Sequence, residues 1–132
     1  MPTEERGLML TIRPAQIRVF SMVAAKNFED HMVAHLAEFF PQPYQKLGEA
    51  KTRAAIQQGV VKAQKYGIVS EHDVCIYIDM MFEYGNDFDV DPALPWASQV
   101  LNDPKIWNPT YKVNRLFDAA MDQRKSGAKA NG

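Results

Sequence analysis

From Tyr66 to Pro104 the chain has no lysine and no arginine, although it carries 15 of them in its 132 residues. Other absences narrow the field further. There is one cysteine, Cys75, which excludes an intrachain disulfide and fits a reducing compartment. The longest mostly apolar run, Val74–Phe82, is interrupted by Asp79 and is too short to span a bilayer. The first ten residues, MPTEERGLML, mix acids and bases around no apolar core, so no signal peptide is read there. These features predict a cytoplasmic protein without membrane contact. There is no basic excess either: formal net charge is −1, which argues against general nucleic-acid binding. No glycine-rich phosphate loop, Gly-x-Ser-x-Gly elbow or Cys-x-x-Cys pair occurs, so the common sequence marks of several enzyme classes are missing.

What fills the base-free stretch is acid. Residues 66–104 hold eight carboxylates: Glu71, Asp73, Asp79, Glu83, Asp87, Asp89, Asp91 and Asp103. The flanks are basic, with nine bases against six acids before it and six against two after it. Such a split favours internal complementarity or a polarised partner surface. The densest part, Tyr84-Gly-Asn-Asp-Phe-Asp-Val-Asp-Pro-Ala-Leu-Pro-Trp96, reads as a metal loop, a docking surface or a helix-capping connector.

Apolar spacing predicts an all-α, compact single-domain bundle of about five helices over residues 10–125, with a flexible N-terminus at 1–9 and a disordered tail at 126–132. A long amphipathic helix runs from Pro14 to Phe40, with a possible kink near Asn27, and Pro41 and Pro43 end it. A short helical turn at Pro43–Leu47 precedes Gly48. The next helix ends at Gly67, a left-handed cap. Ser70 opens a third helix, Glu71–Tyr84, apolar on nearly every side and therefore central, with Gly85 as its stop. Asp91-Pro92 opens a helix to Leu101, and Asn108-Pro109 opens the last, to about Arg124.

The candidate chemistry is thin. Asp87-x-Asp89-x-Asp91 begins like a calcium loop, but Pro92 stands where the turn glycine is needed and Ser98 where the bidentate glutamate is needed. His31 and His35 share a helix face at zinc spacing, with Glu29 and Glu38 as nearby donors, yet Met-Val-Ala separates them and no catalytic glutamate lies between. His35 also reads as a satisfied, half-buried residue. Cys75 has acidic neighbours, which favour a packed thiol over a nucleophile. Asp79 interrupts an apolar face and calls for a buried partner, Arg18, Arg53 or Arg115, or else acts as a catalytic acid. Met80 and Met81 suit either core filling or an adaptable groove. No catalytic, cofactor or metal residue is assigned.

Three runs carry a resemblance: Phe28-x-x-His31-Met-Val-Ala-His35-Leu36, Tyr66-Gly-Ile-x-x-Glu71-x-Asp73-Val74, and Met81-x-x-x-Gly85-x-Asp87-Phe88-Asp89-x-Asp91-Pro92-x-x-Pro95-Trp96. Over roughly residues 10–120 the chain resembles small helical bacterial proteins of type VI secretion gene neighbourhoods. Those neighbourhoods hold VgrG-like spike proteins, PAAR-repeat tips, effectors and effector-loading adaptors. The resemblance brings no catalytic motif. It implies a non-enzymatic adaptor or chaperone-like accessory that binds an effector, an adaptor or the spike. The expected docking residues are Glu83, Asp87, Phe88, Asp89, Leu94 and Trp96, aromatic anchors ringed by charge, although Trp96 and Phe88 equally suit a core. The alternatives are an immunity protein whose acidic face covers a basic toxin, and a metal-binding protein using His31 and His35.

Overall fold

Proline sets where two of the helices begin. A residue before proline is pushed out of the α region, and the proline itself has no N–H to bond backwards. Phe40, before Pro41, has φ −132° and ψ 57°; Leu94, before Pro95, has φ −124° and ψ 62°. A helix ends or starts at each point. The computed structural model describes residues 22–131, and all regular elements among them are helical. They are α1 (Met22–Phe39), α2 (Pro41–Lys65), α3 (Glu71–Tyr84), α4 (Pro95–Leu101) and α5 (Pro109–Asn131). The expected all-α single-domain bundle is the observed architecture. The terminus at 1–9, the start at Pro14 and the candidate partner Arg18 lie outside the described residues.

Several boundaries follow the local chemistry. Gly67 has φ +79°, and the turn closes as the N–H of Ile68 bonds Ala63 O and that of Gly67 bonds Gln64 O, the two bonds of a Schellman cap. Ser70 Oγ accepts the Asp73 N–H at 3.2 Å and starts α3. Asn108 Oδ1 accepts the Tyr111 N–H at 3.0 Å and starts α5. α2 is two helical pieces joined at Gly48, whose φ of 82° and ψ of 165° are not helical. Two expectations move. α4 begins at Pro95 rather than Pro92, because Pro95 forces Leu94 off the helical backbone. Asp91 instead caps the turn before it, accepting the Ala93 N–H at 2.9 Å. The last helix continues past Arg124 to Asn131.

The apolar α3 is central, as its sequence predicts: it touches α1, α2 and α5. Val74, Tyr77, Ile78 and Met81 are all at most 1% exposed. Around them pack Met32 and Leu36 of α1, Ile56 and Ala63 of α2, and Val113 and Leu116 of α5. Each fully buried side chain of this size contributes about 1.5–3 kcal/mol of transfer free energy. No helix among the described residues is long and apolar enough to cross a membrane.

α2 and α3 approach closely at Gly59. A Cβ there would lie 2.6 Å from Ile78 Cγ1 and 3.0 Å from Met81 Sδ. The methionine can move; a β-branched Ile78 in a helix has essentially one χ1 rotamer and cannot. Alanine gains about 1 kcal/mol over glycine in helix propensity, but overpacking a fixed core costs about 1–3 kcal/mol. Gly59→Ala is therefore expected to destabilise the fold by roughly 1 kcal/mol in urea denaturation, where an exposed helical glycine would show stabilisation.

α1 and α2 are also clamped by charge. Arg53 donates to Glu29 at 2.6 Å and to Asp30 at 2.9 Å on α1, and to Glu49 at 3.0 Å on its own helix. Gln57 adds a bond to Glu29 at 2.8 Å. Together Gln57 and Arg53 hold the Glu29 carboxyl below its ordinary 4.5.

Candidate functional site

The base-free stretch is answered from elsewhere in the chain. Of its eight carboxylates, seven take part in a hydrogen bond or ion pair. Asp73 accepts from Thr110 at 2.8 Å, Asp87 from Lys62 at 2.6 Å and Asp89 from Tyr66 at 2.7 Å. Glu83 pairs with Arg124, and Asp79 pairs with His35. Asp91 and Asp103 cap turns through their own oxygens. Internal complementarity thus accounts for most of the block.

This reorders the expected docking residues. Phe88 is 0% exposed, with its ring 5.1 Å from that of Tyr77. Asp89 is buried beneath Tyr66, and Trp96 is buried with its ring edge against Tyr84. Burial removes these three from any surface a partner can reach. Leu94 is half-buried against the core. Asp87 is exposed but bound to Lys62, which lowers its carboxyl below the ordinary range. Glu83 and Asp87 each border a concave surface, Glu83 between α3 and α5 and Asp87 beside Lys62 of α2. The three aspartates of the calcium-like run also diverge: Asp87 turns to α2, Asp89 into the core and Asp91 to its own turn.

Polar chemistry converges instead between α1 and α3. His35 Nε2 lies 2.8 Å from Asp79 Oδ1 and 3.0 Å from Oδ2. Among the described residues Asp79 is therefore paired with a histidine, not with Arg53 or Arg115. Arg53 is engaged at Glu29, and Arg115 is exposed. Burial raises the Asp79 carboxyl above its ordinary range, and His35 offsets part of that rise. Cys75 lies one helical turn before Asp79, on the same face. One donor atom from each of His35, Cys75 and Asp79 falls within 4.8 Å of the others, the only such group among the described residues. Burial, then the Asp79 charge, pushes the Cys75 thiol up to about 11. That is the reverse of what a nucleophilic cysteine needs. The zinc reading from sequence had placed His35 with His31, but His31 is exposed and Glu29 is occupied by Arg53. The signal that identifies the cluster in sequence is the i, i+4 spacing of Cys75 and Asp79.

Asp79 also stands at the edge of a groove of about 320 Å³ between α3 and α5. Its apolar lining comes from Phe40, Ile76, Met80, Tyr84, Phe117 and Met121. Phe117 is 50% exposed and Met121 37% exposed, large apolar side chains left uncovered by the fold. Glu83 and Arg124 form an ion pair on the rim, and the neighbouring Tyr84 hydroxyl, then the Glu83 charge, raises the Arg124 pKa. Sequence pattern missed this groove because Phe117 and Met121 carry the same helical period as the buried Val113, Leu116 and Ala120. Which members of such a stripe are covered depends on the neighbours of α5. No protein-family model matches the chain, and neither does any curated protein or solved structure.

Proposed function

We propose that the chain is a non-enzymatic, cytoplasmic protein-binding accessory that receives an amphipathic helix of its partner in the α3–α5 groove. In the type VI secretion setting that its sequence resembles, the partner is an effector, an effector-loading adaptor or a spike component. The observation carrying this reading is the exposed Phe117–Met121 surface within a concavity that has a charged rim. Helix-in-groove recognition needs an apolar trough for the i, i+3, i+4 and i+7 anchors and a polar border to orient them. Methionine linings at Met80 and Met121 adapt to the shape of the inserted side chains. The acid at Asp79 and Glu83 favours a basic residue flanking the partner's apolar stripe. The raised Cys75 thiol supports a binding role over a thiol-based reaction.

The test is calorimetric binding of the full chain to the effector, adaptor and spike proteins encoded beside it. A central anchor is worth about 2 kcal/mol or more, or roughly 30-fold in Kd. Phe117→Asp with Met121→Asp is expected to weaken binding by at least that factor while the helical circular dichroism is retained. Asp87→Lys is expected to leave the affinity within about twofold, as rim charges away from the contact do. Unchanged affinity in the groove variant, with loss in Asp87→Lys, would return the docking face to the acidic segment.

A further inference from the structure

We propose that His35, Cys75 and Asp79 form a three-donor site for a divalent transition-metal ion of the zinc class, with the fourth position left to solvent. Three observations carry it. First, the donors converge from two rigid helices. Cys75 and Asp79 are one turn apart on α3, and His35 reaches across from α1. Second, their separations are within a short side-chain movement of those a metal imposes. At bond lengths of about 2.0–2.3 Å, tetrahedral donors lie roughly 3.3–3.7 Å apart. The His35–Asp79 pair at 2.8 Å would open by about half an ångström to reach that spacing, and all three donor atoms already lie within 4.8 Å of one another. Third, the donor set selects the ion. Thiolate, imidazole and carboxylate suit zinc and its neighbours, whereas calcium and magnesium require a shell of oxygens.

The charge balance is also favourable. In the metal-free protein the thiol keeps its proton. Binding M²⁺ releases that proton to solvent, and thiolate plus carboxylate then neutralise the ion at a half-buried point. His35 and Asp79 side chains are each 29% exposed, so an ion and one water have access. Asp79 also borders the α3–α5 groove, which places the metal beside the docking surface without depending on it.

The experiment uses the full, reduced chain titrated with Co(II) alone and then with Zn(II). The expected result is one Co(II) per chain with a near-ultraviolet thiolate-to-cobalt charge-transfer band and tetrahedral visible bands, both abolished by stoichiometric Zn(II). Cys75→Ser, a near-isosteric change, is expected to remove the charge-transfer band and to weaken Zn(II) at least tenfold. His35→Gln is expected to weaken it comparably. His31→Ala and His72→Ala, on exposed histidines, are expected to change neither. Co(II) uptake without a charge-transfer band overturns the proposal. So does Zn(II) affinity that survives Cys75→Ser but falls with His31→Ala or His72→Ala, which is adventitious surface binding.

Discussion

Replacing Phe88 with alanine is expected to lower the free energy of unfolding by about 3–5 kcal/mol, the cost of emptying a buried aromatic site. That is a large share of the 5–15 kcal/mol typical of a domain. The reason is position: Phe88 is wholly buried and its ring packs 5.1 Å from that of Tyr77, in the middle of α3. The segment that follows α3 is therefore part of the core. Urea denaturation followed by circular dichroism measures the effect, with the midpoint falling and the slope preserved. A surface anchor at this position would give a change within about 0.5 kcal/mol.

Tyr66→Phe is expected to destabilise the fold by about 1–3 kcal/mol through the loss of one hydroxyl. The Tyr66 O–H donates to Asp89 Oδ2 at 2.7 Å, and Asp89 is only 2% exposed. Its other oxygen, Oδ1, is buried with no hydrogen-bond partner among the described residues. Phenylalanine keeps the ring near Tyr77, at 6.3 Å between centroids, and so isolates the hydroxyl. Burial, followed by the Asp89 contact, raises the Tyr66 pKa, so the O–H stays protonated as a donor. A double-mutant cycle separates this bond from general packing. Tyr66→Phe in an Asp89→Leu background is expected to cost far less than in the native chain, because no buried acceptor is then stranded. Equal losses in both backgrounds would show that the hydroxyl acts through something other than Asp89.

Much of the fold was legible in the sequence, and the failures have a common cause. Caps and breakers act within a few residues, so Ser70, Gly67 and Asn108 announced their roles. The apolar perimeter of Glu71–Tyr84 announced a central helix. Asp91-Pro92 misled because a second local rule, the constraint of Pro95 on Leu94, overrode it. The candidate site was far less legible. Asp87 and Asp89 have no base beside them in sequence, and their partners, Lys62 and Tyr66, lie more than twenty residues earlier. Asp79 was rightly read as needing a partner, but that His35, 44 positions away in sequence, answers it rather than Arg53 or Arg115 depends on how α1 crosses α3. Sequence spacing fixes which residues share a helix face; it does not fix which face a neighbouring helix covers. That is why Phe117 and Met121, on the apolar stripe of α5, stand exposed, whereas Phe88 and Trp96, which suited either an anchor or a core, stand buried.

The most direct test of the α3–α5 groove as the docking face is hydrogen exchange of the full chain, alone and bound to the effector, adaptor or spike protein it captures. New protection is predicted in the groove-facing parts of α3 and α5, at residues 76–84 and 114–124, with residues 86–91 unchanged. Protection confined to 86–91, with α3 and α5 exchanging as in the free chain, would contradict the account.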